Sequence, residues 1–230
     1  MADRGATMEA CMSDSTSAKG GNAARFEPHC EENLCVVSVA HEDYAEHCIS
    51  AQCARNESAT DCFARVAQRV EACAAKVVSQ EVFGFAPPAQ DAATGIPGAA
   101  CPPTWLVDGA EATPHLAGVQ VWAVSGVEPE AVMLGDRPVG WAFDTRDARY
   151  LRLGGLVPED TGAARLAQTG SIFTQMQAGL AAAGFGFQDV VRTWFYNQQI
   201  TAWYDAFNKE RIALFKKLGV FAGVVPASTG

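Results

Sequence analysis

Cysteines, histidines and a few strand-borne arginines are the side chains of this 230-residue sequence best suited to chemistry. The eight cysteines are Cys11, Cys30, Cys35, Cys48, Cys53, Cys62, Cys73 and Cys101, all in the first half. His-Cys-x4-Cys occurs twice, at His29-Cys30…Cys35 and His47-Cys48…Cys53. Cys and His are the preferred zinc ligands, but structural zinc pairs usually stand closer together. On a strand over 44–53, Cys48 and Cys53 point to opposite faces. Cys62 and Cys73 fall on the apolar face of a predicted helix, where a thiol serves as a small hydrophobe. A disulfide framework is not expected without a secretion signal. The expectation is therefore reduced, mostly buried cysteine, with no metal and no cofactor.

Composition narrows the function classes. Apolar residues make up 49% and charged residues 19%, an ordinary globular balance. Net charge is −9, and no basic stripe appears beyond Lys216-Lys217. Phosphate binding needs clustered Lys and Arg, so neither a nucleic-acid nor a membrane partner is expected. No run approaches a membrane span, and the N-terminus lacks the apolar core of a signal peptide. A soluble, cytoplasmic protein is expected. Residues 1–25 read as a flexible leader, with Met8 and Met12 as alternative starts.

Patterning supplies the elements. LCVVSVA (34–40) reads as a buried strand and 44–53 as a weaker one. Residues 58–75 place Cys62, Phe63, Val66, Val70 and Cys73 at helical spacing, with Ser58 or Thr60 as cap. KVVSQEVFG (76–84) is a strand, 86–103 a long Pro/Ala/Gly loop, and WLV (105–107) and VQVWAVSG (119–126) are strands around a turn at Asp108-Gly109. Residues 127–148 read as irregular, apart from a short strand at 131–134. In the second half, 149–158 is a strand interrupted by Gly154-Gly155. Residues 163–183 form a helix, 190–197 a strand, 200–218 a second helix, and VFAGVV (220–225) begins another strand.

The halves echo each other: Phe63, Val66 and Val70 recur as Phe173, Met176 and Leu180, and Val77-Val78 as Val190-Val191. The fold class is α+β, a mixed sheet with helices on one face, duplicated as two related halves over 26–140 and 149–230. On the strand at 190–197, Val191, Thr193 and Phe195 face the helices. Arg192, Trp194 and Tyr196 face away and must meet another sheet, leaving a crevice there. Arg149, Arg152 and Arg192 lie on strands at that crevice; the plainer use of each is as a surface or paired arginine. Tyr150 and Trp194 either line an apolar pocket or serve core packing.

The segments RYLRLGGLVPED, LAAAG, DVVRTWFYN, WYDAFNKERIALF and VPASTG, in that order, resemble the Rid/YjgF family, once called endoribonuclease L-PSP. The resemblance covers 149–230. The two-half layout is also similar to chorismatases. It implies a Rid-like (chorismate-mutase-like) fold, assembly as a homotrimer or as a pseudo-symmetric pair of halves, and hydrolysis of enamines or imines derived from amino acids. In active members an Arg near the closing segment grips the substrate carboxylate; here Ser228 stands there, and Gly230 takes a family cysteine's place. The family's acid lies on the next strand, so the second half is expected to be incomplete at Gly230. Asn208 matches a frequent family Asn, as a binding residue or a loop cap. A hydroxyl cannot replace a guanidinium's charge or its two-pronged grip.

Two functions follow as expectations. One is a Rid-like hydrolase, of enamine/imine deaminase or chorismatase-like type, acting on a small carboxylated metabolite. The other is a non-catalytic metabolite binder or structural homologue. The substrate-binding candidates are Asn208, Ser228, Arg192, Arg149, Tyr150 and Trp194, with no catalytic residue assigned. The net charge argues against RNA cleavage.

Overall fold

The computed structural model describes residues 25–84, 95–107 and 116–229; the proposed leader lies almost wholly outside them. The chain is α+β. Its first sheet contains β1 (Arg25–Glu31), β2 (Leu34–Ala40), β3 (Ala45–Gln52), β4 (Lys76–Phe83), β5 (Thr104–Leu106) and β6 (Gly118–Ser125). Their spatial order is β1-β2-β3-β6-β4-β5. The β-branched run in β2 and the strict alternation in β3 explain the pairing. His47, Ile49 and Ala51 are buried on one face, while Cys48, Ser50 and Gln52 are exposed on the other.

Helix α1 (Ala59–Ala72) covers the first face. Ser58 Oγ accepts the Asp61 N–H at 3.1 Å, satisfying one of the helix's free donors. Cys62, Phe63, Val66 and Val70 recur every three or four residues and pack on Leu34, Val36, Ile49, Val82 and Val121. Past the helix, Ala74 takes a left-handed conformation at φ 49°, a position that favours glycine. Gln80, buried in β4, donates to Cys101 O at 2.6 Å and accepts the Ile96 N–H at 3.2 Å, tying 96–101 to the core.

A second sheet joins β7 (Glu130–Leu134), β8 (Arg137–Asp144) and β9 (Arg149–Leu153), each antiparallel to the next. Helix α2 (Arg165–Ala182) leads to β10 (Arg192–Trp194). Helix α3 (Tyr204–Lys217) leads to β11 (Ala227–Thr229), which pairs parallel with β10. Phe173, Leu180, Phe187, Phe195, Phe207 and Phe215 form the core beneath these helices, with Leu151 and Leu153 from β9 against it. The two sheets meet through Val78, Val124 and Phe143, packed by Tyr44, Trp122 and Trp141. The layers run helix, sheet, sheet, helix. No described helix is long and apolar enough to cross a membrane.

Several expectations are corrected. The short strand expected at 131–134 is β7, but the rest of 127–148 is not irregular: β8 follows it, so the second sheet starts before the sequence boundary at 140–149. Pro138 and Gly140 disguise β8, yet a register shift next to Val139 accommodates the proline. At Gly140 a Cβ would stand 2.1 Å from the Arg152 carbonyl. WLV does not form a hairpin with VQVWAVSG; β5 pairs parallel with β4 instead, and Asp108-Gly109 lies outside the described residues. The segment 220–225 is no strand. Val220 is buried in a 3-10 turn (Val220–Ala222), whereas Val224 and Val225 are both exposed, so alternation fails. Only Arg192–Trp194 of the strand at 190–197 pairs, and Val191 is exposed rather than facing the helices. The helix over 200–218 is a 3-10 turn at Ile200–Ala202 followed by α3. Cys30 and Cys35, directly opposite in the β1–β2 hairpin, form a disulfide, and Cys48 is exposed. Cysteine is thus neither uniformly reduced nor mostly buried.

Candidate functional site

Between the two sheets, side chains from five strands converge. On the outward face of the first sheet stand Glu46 and Cys48 of β3, Trp122 of β6, and Ser79 and Glu81 of β4. Pleating puts them there: Cys48 is opposite Trp122, Ser79 is opposite Trp122, and Glu81 is opposite Gln120. Glu46 fixes the Trp122 ring, accepting its indole N–H at 3.0 Å. The same carboxylate accepts the Tyr44 hydroxyl at 3.2 Å and is hydrogen-bonded to His41 at 2.9 Å. Glu46 is therefore fully engaged.

From the second sheet comes Arg152 of β9. Its guanidinium lies 4.6 Å from the Trp122 ring centroid and 4.9 Å from that of Trp194. Arg192 approaches Trp194 as well, at 5.0 Å. Two cations thus share one indole, and each contact is attractive through the ring quadrupole. Among the described residues neither guanidinium makes an ion pair. Burial holds Arg152 below the ordinary arginine range, opposed by the fields of Glu81, Cys48, Tyr196 and Glu46. Partial desolvation between the sheets also pushes the Cys48 thiol up, assisted by Glu46 and opposed by Arg152, although its side chain stays largely exposed. The Tyr196 phenol is pushed up by burial and Glu81, again against Arg152. Glu81 accepts the Ser79 hydroxyl at 2.9 Å. The site is a half-buried guanidinium between two indoles, near a neutral thiol, a neutral phenol and the carboxylates of Glu81 and Glu46. Five fixed donors, with no carboxylate in ion-pair contact among the described residues, suit a planar carboxylate.

The sequence candidates divide. Arg192 and Trp194 meet in this site. Arg149, on the same strand as Arg152, instead reaches Asp144 at 2.8 Å and Glu130 at 3.7 Å in exposed ion pairs. Tyr150 stacks on Phe143 at 5.2 Å, within the aromatic group between the sheets. Ser228 is exposed on β11 and accepts the Thr193 hydroxyl at 3.3 Å. Asn208 lies on α3 in a separate shallow groove with Asp205, Lys209 and Ile212, and its buried Oδ1 has no hydrogen-bond partner among the described residues. Trp122 and Glu81 were not foreseen as site residues. Alternation along β4 and β6 carries their orientation, but not the arrival of β9 opposite them.

The two His-Cys-x4-Cys motifs do not converge. His47 turns away from Cys48, hydrogen-bonded at 2.9 Å to both Ser38 and Ser125. Cys53, Glu57 and Cys62 do come together, their ligand atoms within 4.8 Å of one another. Arg65 already holds both Glu57 oxygens, at 2.9 and 2.8 Å. Burial pushes the Cys62 thiol up to about 12. A cation needs thiolates and a free carboxylate, so this donor set does not suit one.

A scan of protein-family models, a search of curated proteins and a search of solved structures each found no match.

Proposed function

We propose that this protein binds a small carboxylated metabolite between its two sheets and acts on it as a Rid-like hydrolase, of the enamine/imine deaminase or chorismatase-like type. One observation carries the reading: Arg152 is half-buried between Trp122 and Trp194 and makes no ion pair among the described residues. A desolvated guanidinium left unpaired is costly, and an anionic ligand removes that cost. The indoles supply flat apolar walls for a conjugated or ring substrate. Arg192 adds a second positive charge at the open side. The hydrolytic part rests on the resemblance of 149–230 to the Rid/YjgF family and on Glu81, a carboxylate at the site that makes no ion pair among the described residues.

The second reading is a non-catalytic metabolite binder. Ser228 favours it, because its hydroxyl carries no charge for a carboxylate and is already engaged by Thr193. A single experiment separates the readings. Calorimetric titration with benzoate and with its neutral counterpart benzamide reports carboxylate binding. Release of ammonia or pyruvate from imine, enamine and enol-ether carboxylates reports hydrolysis. Binding with release that disappears in Arg152→Gln supports the hydrolase, and binding without release supports the binder. Failure to prefer benzoate over benzamide overturns both.

A further inference from the structure

Two thiols stand side by side at the corner where β3 gives way to α1. Cys53 follows the last residue of β3, and Cys62 lies in the first turn of α1. Their sulfurs are within 4.8 Å of each other and are hydrogen-bonded. The other free thiols lie elsewhere: Cys48 on the outward face of β3, Cys73 at the far end of α1, and Cys101 beside the Gln80 amide at 3.6 Å.

The backbone around the pair is pinned. The Cys53 N–H donates to Ala117 O and the Cys62 N–H to Ser58 O, both at 3.0 Å. Between them the Glu57 carboxylate accepts the Ala54 N–H at 2.8 Å and grips Arg65 at 2.9 and 2.8 Å. Arg65 also donates to the carbonyls of Asn33 at 3.1 Å and Gln52 at 2.8 Å. One guanidinium therefore ties the β1–β2 turn, the end of β3 and α1 together around the two sulfurs.

We propose that Cys53 and Cys62 are a dithiol that a small-molecule disulfide, of the class of glutathione disulfide, converts to a cystine latching α1 to the end of β3. A disulfide spans about 2.05 Å, and side-chain rotation on this fixed frame closes the remaining distance. Exposure sets the order of events: Cys53 is half-buried and Cys62 is 0% exposed. The Cys53 sulfur bonds to one glutathione sulfur, the glutathione S–S bond breaks, and the second glutathione leaves with the Cys53 proton. Cys62 then attacks the Cys53 sulfur, and the first glutathione leaves with the Cys62 proton. Two electrons pass from the protein pair to one disulfide, which becomes two thiols.

Burial raises both thiols, Cys62 to about 12, so exchange is slow and the reduced pair gains nothing as thiolate. The bond once formed accordingly resists reduction. The hydrogen bond from Cys62 works against burial at Cys53, favouring it as the first nucleophile. Arg65 Nη2, 3.8 Å from Cys62 Sγ, steadies the charge that grows there in the second attack.

The test needs neither the ligand nor the hydrolysis proposed above. The reduced chain is equilibrated at rising ratios of glutathione disulfide to glutathione, quenched with acid, unfolded, alkylated and mapped by peptide mass. The peptides of Cys53 and Cys62 should appear joined to each other. Cys62→Ser should trap glutathione on Cys53, whereas Cys53→Ser should leave Cys62 unmodified. Closing a loop of about ten residues should raise the folding equilibrium constant by about 100-fold. Urea unfolding reads this as the gain on oxidation of the unaltered chain over that of Cys53→Ser, a difference that cancels the Cys30–Cys35 bond. Alkylation of both cysteines at ratios that close Cys30–Cys35, or a link to any other cysteine, would overturn the pairing. Glutathione on Cys62 but not on Cys53 would overturn the order of attack, and equal gains in the two chains would overturn the latch.

Discussion

Replacing Arg152 with Gln removes the positive charge from between Trp122 and Trp194 and keeps much of the side chain's bulk. A guanidinium gripping a carboxylate donates two charge-assisted hydrogen bonds, each contributing about 1.5–3 kcal/mol. Taking the lower figure for both gives about 3 kcal/mol, or about 100-fold in affinity. Arg152→Lys keeps the charge but loses the fork and its flat stacking face, and should cost about 10-fold. Folding should hardly change. The two lost cation–π contacts, about 0.5–1 kcal/mol each, are offset by relief of an unpaired, half-buried cation. The assay is benzoate titration followed by tryptophan fluorescence and calorimetry, with urea unfolding of each variant alongside. A loss of affinity under threefold in Arg152→Gln, at unchanged stability, would refute the assignment. Equal weakening of benzamide would show that Arg152 acts through shape rather than charge.

Other consequences concern the frame that holds the site. His47 is buried and its pKa is lowered by burial from an ordinary value near 6.5. The unfolded chain then binds the proton more readily, so stability is complete above pH ~6.5 and falls as pH drops through the window below it. His47→Gln should flatten that slope in urea unfolding between pH 7 and 5, and an unchanged slope would assign it to other groups. Ile49 is 0% exposed beneath α1, and Ile49→Ala should cost about 2–5 kcal/mol in the same assay, against about 0.5–1.5 for Ile49→Val. Ala74→Gly should stabilise the fold by about 1 kcal/mol, because φ 49° strains an L-residue. A destabilisation instead would show that the extra freedom of the unfolded glycine outweighs the strain relieved.

The elements that could be read from sequence are those in which one physical signal dominates. Helix α1 announced itself through Cys62, Phe63, Val66 and Val70 and the cap at Ser58. Strands β2 and β3 did so through β-branched runs and alternation. Strand β8 was hidden because Pro138 and Gly140 ordinarily break strands. Their tolerance depends on a register shift and a near neighbour's carbonyl, which no local pattern contains. The stretch 220–225 misled in the opposite sense, since its β-branched composition lacks alternation. Of the site, Arg192 and Trp194 were legible because strand parity turns them from the helices. The partnership of Arg152 with Trp122 was not, because residues far apart in the chain meet only once the two sheets stack. The disulfide was equally hidden: Cys30 faces Cys35 only because β1 pairs with β2 across a two-residue turn.

That bond changes what kind of edge the first sheet presents. The described side chains of β1 are all exposed, Phe26 at 68%. No apolar burial anchors the strand, so its attachment rests on the ladder to β2, the Arg69–Glu31 ion pair at 2.6 Å and the Cys30–Cys35 link. An exposed ion pair adds little. Cutting the link lowers the free energy needed to peel β1 away, and peeling uncovers the backbone of β2 along Leu34–Ala40, an apolar, β-branched and uncharged sequence. Such a stretch is what cross-strand aggregation recruits. The thiol–disulfide balance of its surroundings therefore governs the shelf life of this protein in concentrated solution, by deciding how often its most adhesive strand is bared.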